Sequence, residues 1–184
     1  MKQDKRIGII GVGRMGEAFI KTLSTSYYIN IWNRTPKLYV GPNLHKVNTL
    51  KTVPELLEYC EIVIILVDQF KTILKILEDV SDLSNKKIIN CTTLSCNEAQ
   101  YLQKLIKSKN GTSFNAVIDN LPKQIGTKQA KLRCLGHPEM WKSVINIINK
   151  ISPNYDYIDS LPDKINIVDD MQTNTYIDSK KSKI

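Results

Sequence analysis

A chain of 184 residues, 42% of them hydrophobic and 24% charged, has the length and balance of one globular domain with a sizeable core. No apolar run approaches the roughly 18 residues of a membrane span, and MKQDKR followed by IGII is too short for a secretory leader, so no membrane partner is expected and the cytoplasm is the expected location. A net charge of +8 favours anionic partners without separating a nucleic acid from a phosphorylated cofactor.

In chain order, RIGII at 6–10 is a short apolar run that ends on a glycine, and MGEAFIKTL at 15–23 carries apolar residues at helical spacing. A strand therefore feeds a helix. The helix has no glycine to close it, since STSYY follows directly. YINIW at 28–32 reads as the second strand, and Thr52 with Glu55 three residues on caps a helix through TVPELLEYC. EIVIILV at 61–67 is the near-continuous apolar run of a strand covered on both faces, as in a parallel sheet. Phe70, Ile73, Leu74, Leu77 and Val80 then make one helical face. KIIN at 87–90 is another buried strand, and SCNE at 95–98 is a capping box that opens a helix through Leu102, Leu105 and Ile106.

FNAVI at 114–118 and KLRCL at 131–135 read as later strands around the loop LPKQIGT. PEMWKSVINIINKI is a helix with Pro138 in its first turn, and YDYI at 155–158 adds an edge strand. Strand and helix alternate throughout, which predicts an α/β fold with a doubly wound, mostly parallel sheet over residues 1–158. Residues 159–184 lose periodicity and end in lysines and serines, the pattern of a weakly ordered tail or of a truncated helix. Cys60, Cys91, Cys96 and Cys134 lack both zinc-site spacing and a dense disulfide framework, and His45 and His137 lie far apart. They read as reduced packing cysteines with no metal site.

The chemistry sits in GVGRMG, residues 11–16, directly between the first strand and the first helix. Gly11 permits a tight turn, Gly13 lets backbone approach a pyrophosphate, and Gly16 lets helix and strand pack closely, with Val12, Arg14 and Met15 completing the loop. The residues after the second strand should face the adenosine ribose, where a carboxylate would accept from a 2′-hydroxyl and repel a 2′-phosphate. Asn33, Arg34 and Thr35 stand there instead, a guanidinium flanked by an amide and a hydroxyl. IWNRTP therefore predicts NADP(H) over NAD(H). The competing reading is that Asn33 and Thr35 only shape the turn before Pro36 and that Arg34 is solvated. For the nicotinamide half, the ends of the strands EIVIILV and KIIN offer Leu66, Val67 and Asp68, then Asn90, Cys91, Thr92 and Thr93, each equally readable as strand-end packing or helix entry.

GIIGVGRMGEAFIKTL with IWNRTP resembles the NADP-binding, Rossmann-like domain of the 6-phosphogluconate and β-hydroxyacid dehydrogenase superfamily. NCTTLSCNEA and FNAVIDNLPKQIGTKQAKLRCLG are similar to segments of imine reductases, with Ile125, Gly126, Thr127, Ala130, Leu132 and Gly136 in matching spacing. The resemblance implies hydride transfer from NADPH to the carbon of a small imine or carbonyl substrate, in a cleft between Thr92–Thr93 and the LPKQIGT loop. It also implies a helical C-terminal domain that supplies the catalytic acid and completes the cleft by dimerisation. Residues 159–184 are too short for that domain, so the catalytic residues stay unassigned, and Asp169, Asp170 and Tyr176 take no catalytic role. Two readings stay open: a cofactor-binding domain of an NADPH-dependent oxidoreductase, completed by a homodimer or a partner chain, and a non-catalytic NADP(H)-binding module. Nucleic-acid binding is disfavoured, because no aromatics interleave with the lysines.

Overall fold

Isoleucine and valine fill the central strands because helices cover both of their faces. In the computed structural model, which describes residues 6–159, the strands are β1 (Arg6–Ile10), β2 (Tyr28–Trp32), β3 (Val47–Thr49), β4 (Ile62–Ile65), β5 (Lys87–Asn90), β6 (Thr112–Ile118), β7 (Lys131–Leu135) and β8 (Asn154–Ile158). The helices are α1 (Arg14–Leu23), α2 (Val53–Tyr59), α3 (Phe70–Glu78), α4 (Cys96–Ser108) and α5 (Pro138–Ile151). The strands form one eight-stranded sheet in the order β3-β2-β1-β4-β5-β6-β7-β8. Neighbours are parallel except at β6 and β7, where the direction reverses; β8 then runs parallel to β7.

Alternation along each strand splits the core in two. Ile7, Ile9, Ile29, Ile31, Ile64 and Phe114 face Phe19, Leu23, Val144 and Ile148 of α1 and α5. On the other face, Ile10, Val63, Ile65 and Ile88 pack with Leu56, Ile73, Leu77 and Ile106 of α2, α3 and α4. Each such side chain, fully buried, contributes roughly 1.5–3 kcal/mol relative to exposure.

The expected caps form. The Thr52 hydroxyl accepts the Glu55 N–H at 3.2 Å, and Ser95 and Glu98 complete a reciprocal box. Without a glycine, α1 ends on Ser24 in right-handed geometry; the Ser24 N–H still bonds Ile20, and the Ser26 and Tyr27 N–H groups both return to Leu23 O. One expectation shifts. The run EIVIILV pairs only over Ile62–Ile65, so Leu66 and Val67 stand beyond the ladder as part of the crest. β3 and the 3₁₀ turn Leu44–Lys46 before it carry no sequence signal, being short and partly exposed. The tail expected at residues 159–184 lies, beyond Asp159, outside the described residues.

β8 is the edge strand expected at 155–158, one residue longer at its start. Its aromatic side chains hold it on α5: Tyr157 stacks on Trp141 at 4.4 Å between ring centroids, and Trp141 stacks in turn on the buried Phe114 at 5.7 Å. Gly136 makes room for that ring, since a Cβ there would come within 2.4 Å of it.

Candidate functional site

Strand order reverses between β1 and β4, so the chain leaves the crest in opposite directions from these two neighbours and opens a crevice above their carboxyl ends. Residues 11–16 fill the β1 side of it. Gly11 has a φ of +99°, and a Cβ on it would lie 2.2 Å from the carbonyl oxygen of Leu66, so only glycine fits where β1 turns past β4. A Cβ on Gly16 would meet Gly11 O at 2.1 Å, which keeps α1 tight against the loop. Around Gly13 the reverse holds: no atom lies within 4 Å of where its Cβ would be.

That open side adjoins free donors. Gly13 is the N-cap of α1 and makes no side-chain cap bond; the first helical bond runs from Glu17 N–H to Gly13 O at 2.9 Å. The N–H groups of Arg14, Met15 and Gly16 thus have no helical acceptor, and the positive end of the helix dipole faces the same space. Such an end suits an anion in charge.

The segment after β2 is tied to the loop. Asn33 Oδ1 accepts the Val12 N–H at 3.0 Å, and Asn33 Nδ2 donates to Thr35 O at 2.7 Å. Lys37 Nζ donates to Val12 O at 3.2 Å and pairs with Glu17 at 2.6 Å. Arg34 and Thr35 are exposed beside them, and no carboxylate occurs in residues 33–37. Lys37 and Glu17 were not singled out by the motif. The signal for Lys37 was present, a second cation three residues after Arg34, whereas Glu17, in the first turn of α1, joins this segment only through its ion pair with Lys37.

On the other side of the reversal, the expected residues of β4 and β5 come together. The Cys91 N–H bonds Ile65 O at 2.9 Å, and the Thr92 hydroxyl donates to Val67 O at 2.9 Å. Leu66 and Val67 are half-buried, Thr92 is buried, and Asp68 and Thr93 are exposed. Asn90 organises this end: its Oδ1 accepts from Thr92 N–H at 3.2 Å, and its Nδ2 donates to Thr92 O and to Asn115 Oδ1, each at 3.0 Å. Asn115, on β6, carried no sequence signal. Cys91 is buried with the α1–α5 layer, and burial, reinforced by Cys134, pushes its thiol far above the usual range; the Cys134 thiol is pushed up to about 12, by burial first and then by Asp156. Both stay protonated at neutral pH, and all four cysteines are free and buried.

The LPKQIGT loop ends away from this pair of strands. The Gly126 N–H bonds Ile151 O at 2.7 Å, and a Cβ on Gly126 would press on Thr22 of α1 at 2.9 Å. Among the described residues, no hydrogen bond or ion pair joins the loop to Thr92 or Thr93. Among the described residues, no group of three or more His, Cys, Asp or Glu is placed to hold a metal ion, and no helix is long and apolar enough to cross a membrane.

Comparison with known proteins agrees with this architecture. The fold is similar to that of a reductive aminase from Aspergillus terreus, solved with NADPH and ethyl levulinate (21% identity, TM-score 0.78, covering 86% of this chain and 56% of that one). It is also similar to an imine reductase from Bacillus cereus (20%, TM-score 0.80, covering 97% and 63%) and one from Myxococcus stipitatus solved with NADP+ (22%, TM-score 0.78, covering 85% and 55%). The chain spans little more than half the length of these proteins, and identities this low speak for the fold alone. No curated protein matches. The family model for the NAD binding domain of 6-phosphogluconate dehydrogenase matches residues 6–159, the whole of the sheet and its helices, and the chain belongs to that family.

Proposed function

We propose that this chain binds NADP(H) and is the cofactor-binding domain of an oxidoreductase of imine reductase or β-hydroxyacid dehydrogenase type. The observation that carries the reading is the open, donor-lined cradle at Gly13 next to a segment, residues 33–37, that holds Arg34 and Lys37 and no acid. A 2′-phosphate gains charge-assisted hydrogen bonds in such a place, whereas the carboxylate that would favour a 2′-hydroxyl is missing. Gly11 to Gly16 hold the pyrophosphate, Arg34 and Thr35 the 2′-phosphate, and Leu66 to Asp68 with Cys91 to Thr93 flank the nicotinamide.

When bound, the reduced nicotinamide supplies hydride. The residues of this chain bind the nucleotide, keep water from one face of the ring and fix its position. The pocket for an imine or carbonyl substrate and the proton donor come from structure outside residues 6–159, with a second copy of this chain or a partner chain among the sources. Residues 6–159 form the nucleotide domain. Free, buried thiols suit the reducing cytoplasm. The alternative reading is a nucleotide-binding module without turnover of its own.

A parallel titration with NADPH and NADH tests the first claim. Selective binding of NADPH that Arg34→Ala weakens by roughly 10- to 100-fold, as loss of a charge-assisted bond implies, is the expected result. Equal affinity for the two nucleotides, or no effect of the substitution, overturns the NADP(H) assignment. Reduction of a cyclic imine or a ketone by the chain with NADPH separates the oxidoreductase from the silent module.

A further inference from the structure

A side-chain amide at the end of β2 can act on a nucleotide in two ways, by touching the ribose and its 2′ substituent or by shaping the loop that holds the pyrophosphate. In Asn33 both functional atoms are engaged within the protein. Oδ1 takes the Val12 N–H at 3.0 Å and Nδ2 gives a hydrogen bond to Thr35 O at 2.7 Å. Lys37 holds the carbonyl of the same residue at 3.2 Å, so Val12 is gripped at both its N–H and its C=O by the segment that follows β2. Val12 as a whole is only 2% exposed.

From this we infer that Asn33 is a positioning residue: it acts on the nucleotide through the backbone of Val12 and sets the affinity for the pyrophosphate common to NADPH and NADH, while Arg34 chooses between them. The inference rests on the nucleotide-binding reading above. Its physical basis is preorganisation. Val12 immediately precedes Gly13, the one glycine of the loop with open space over it, and a loop already held in its binding shape loses less freedom when the phosphates arrive. Removing the acceptor leaves the Val12 N–H without a partner and loosens that shape.

The test uses the full chain, titrated with NADPH and NADH, with amide hydrogen exchange measured at Val12 in the nucleotide-free protein. Asn33→Ala is expected to weaken both nucleotides by a similar factor, roughly 10-fold, with the NADPH/NADH ratio unchanged, and to speed exchange at Val12 but not at Ile9 in the core of β1. Asn33→Asp keeps an acceptor oxygen and is expected to restore protection at Val12, which also guards against misfolding of the alanine variant. A loss confined to NADPH, or Val12 exchange unchanged in Asn33→Ala, overturns the positioning role and leaves the nucleotide reading standing. Failure of the unmodified chain to bind either nucleotide overturns both.

Discussion

At the β1–β2 end of the crest, the backbone is held by side chains reaching in from the surface: Asn33 and Lys37 grip Val12, and Lys37 is itself paired with the half-exposed Glu17. At the β4–β5–β6 end the Asn90 ties are buried, running to both sides of Thr92 and to Asn115, and a part-buried bond joins Thr92 to Val67. Exposed ties exchange readily with water and ions and cost little to rearrange; buried polar ties leave unsatisfied groups when cut. At the phosphate end the half-exposed Lys37–Glu17 pair is therefore adjustable by a ligand, whereas the part-buried Asn33–Val12 bond stays held. The other end is a fixed floor.

The strongest way to break this contrast is at the glycines, which share the loop but not its constraints. Gly11→Ala places a Cβ 2.2 Å from Leu66 O at a positive φ and should destabilise the fold by at least about 3 kcal/mol. Thermal unfolding would register that as a midpoint fall of roughly 6–12 °C for a domain of this size, with nucleotide binding lost alongside. Gly13→Ala should leave the midpoint within about 2 °C, since its φ of −81° suits alanine and its surroundings are open, yet weaken nucleotide binding at least 10-fold by filling the approach to the phosphates. A Gly13→Ala protein that binds as well as the parent would remove the cradle.

Next in size is the buried floor. Asn90→Ala leaves Thr92 N–H and Asn115 Oδ1 without their partner and should cost about 2 kcal/mol, a midpoint fall of roughly 4–8 °C. A shift no larger than that of an exposed substitution would show that this end is as adjustable as the other.

Smallest is Glu17→Gln. Glu17 competes with any phosphate for Lys37, so neutralising it should tighten NADPH about two- to threefold, leave NADH unchanged, and do so less at high salt. Weaker NADPH binding in this variant would mean that Lys37 needs Glu17 to hold it in place.

Much of this was legible in local patterns. Glycine spacing placed the tight turn at Gly11 and the close packing at Gly16, because no other residue survives those approaches, and Thr52 and Ser95 marked helix starts through bonds made within a single turn. The missing glycine after α1 was legible too, but its remedy was not: the helix stops on Ser24, whose hydroxyl is met by Asn43 from a distant turn at 3.4 Å. β3 escaped notice because three partly exposed residues form a strand only when β2 offers them an edge. The reversal at β7 follows from the β6–β7 connection, which holds a single 3₁₀ turn and lacks the helix that a parallel crossover needs.

Composition, periodicity and glycine spacing by themselves determined the α/β class, most strand and helix spans and the place of the glycine-rich turn, since these depend on residues near one another in the chain. Only the tertiary structure decided that Asn33 faces Val12, that Lys37 and Glu17 meet above the loop, and that Asn115 joins Asn90 beneath the other half of the crevice. Those pairings span separate strands and helices, and a hydrogen bond between them exists only once the sheet order has brought their ends together.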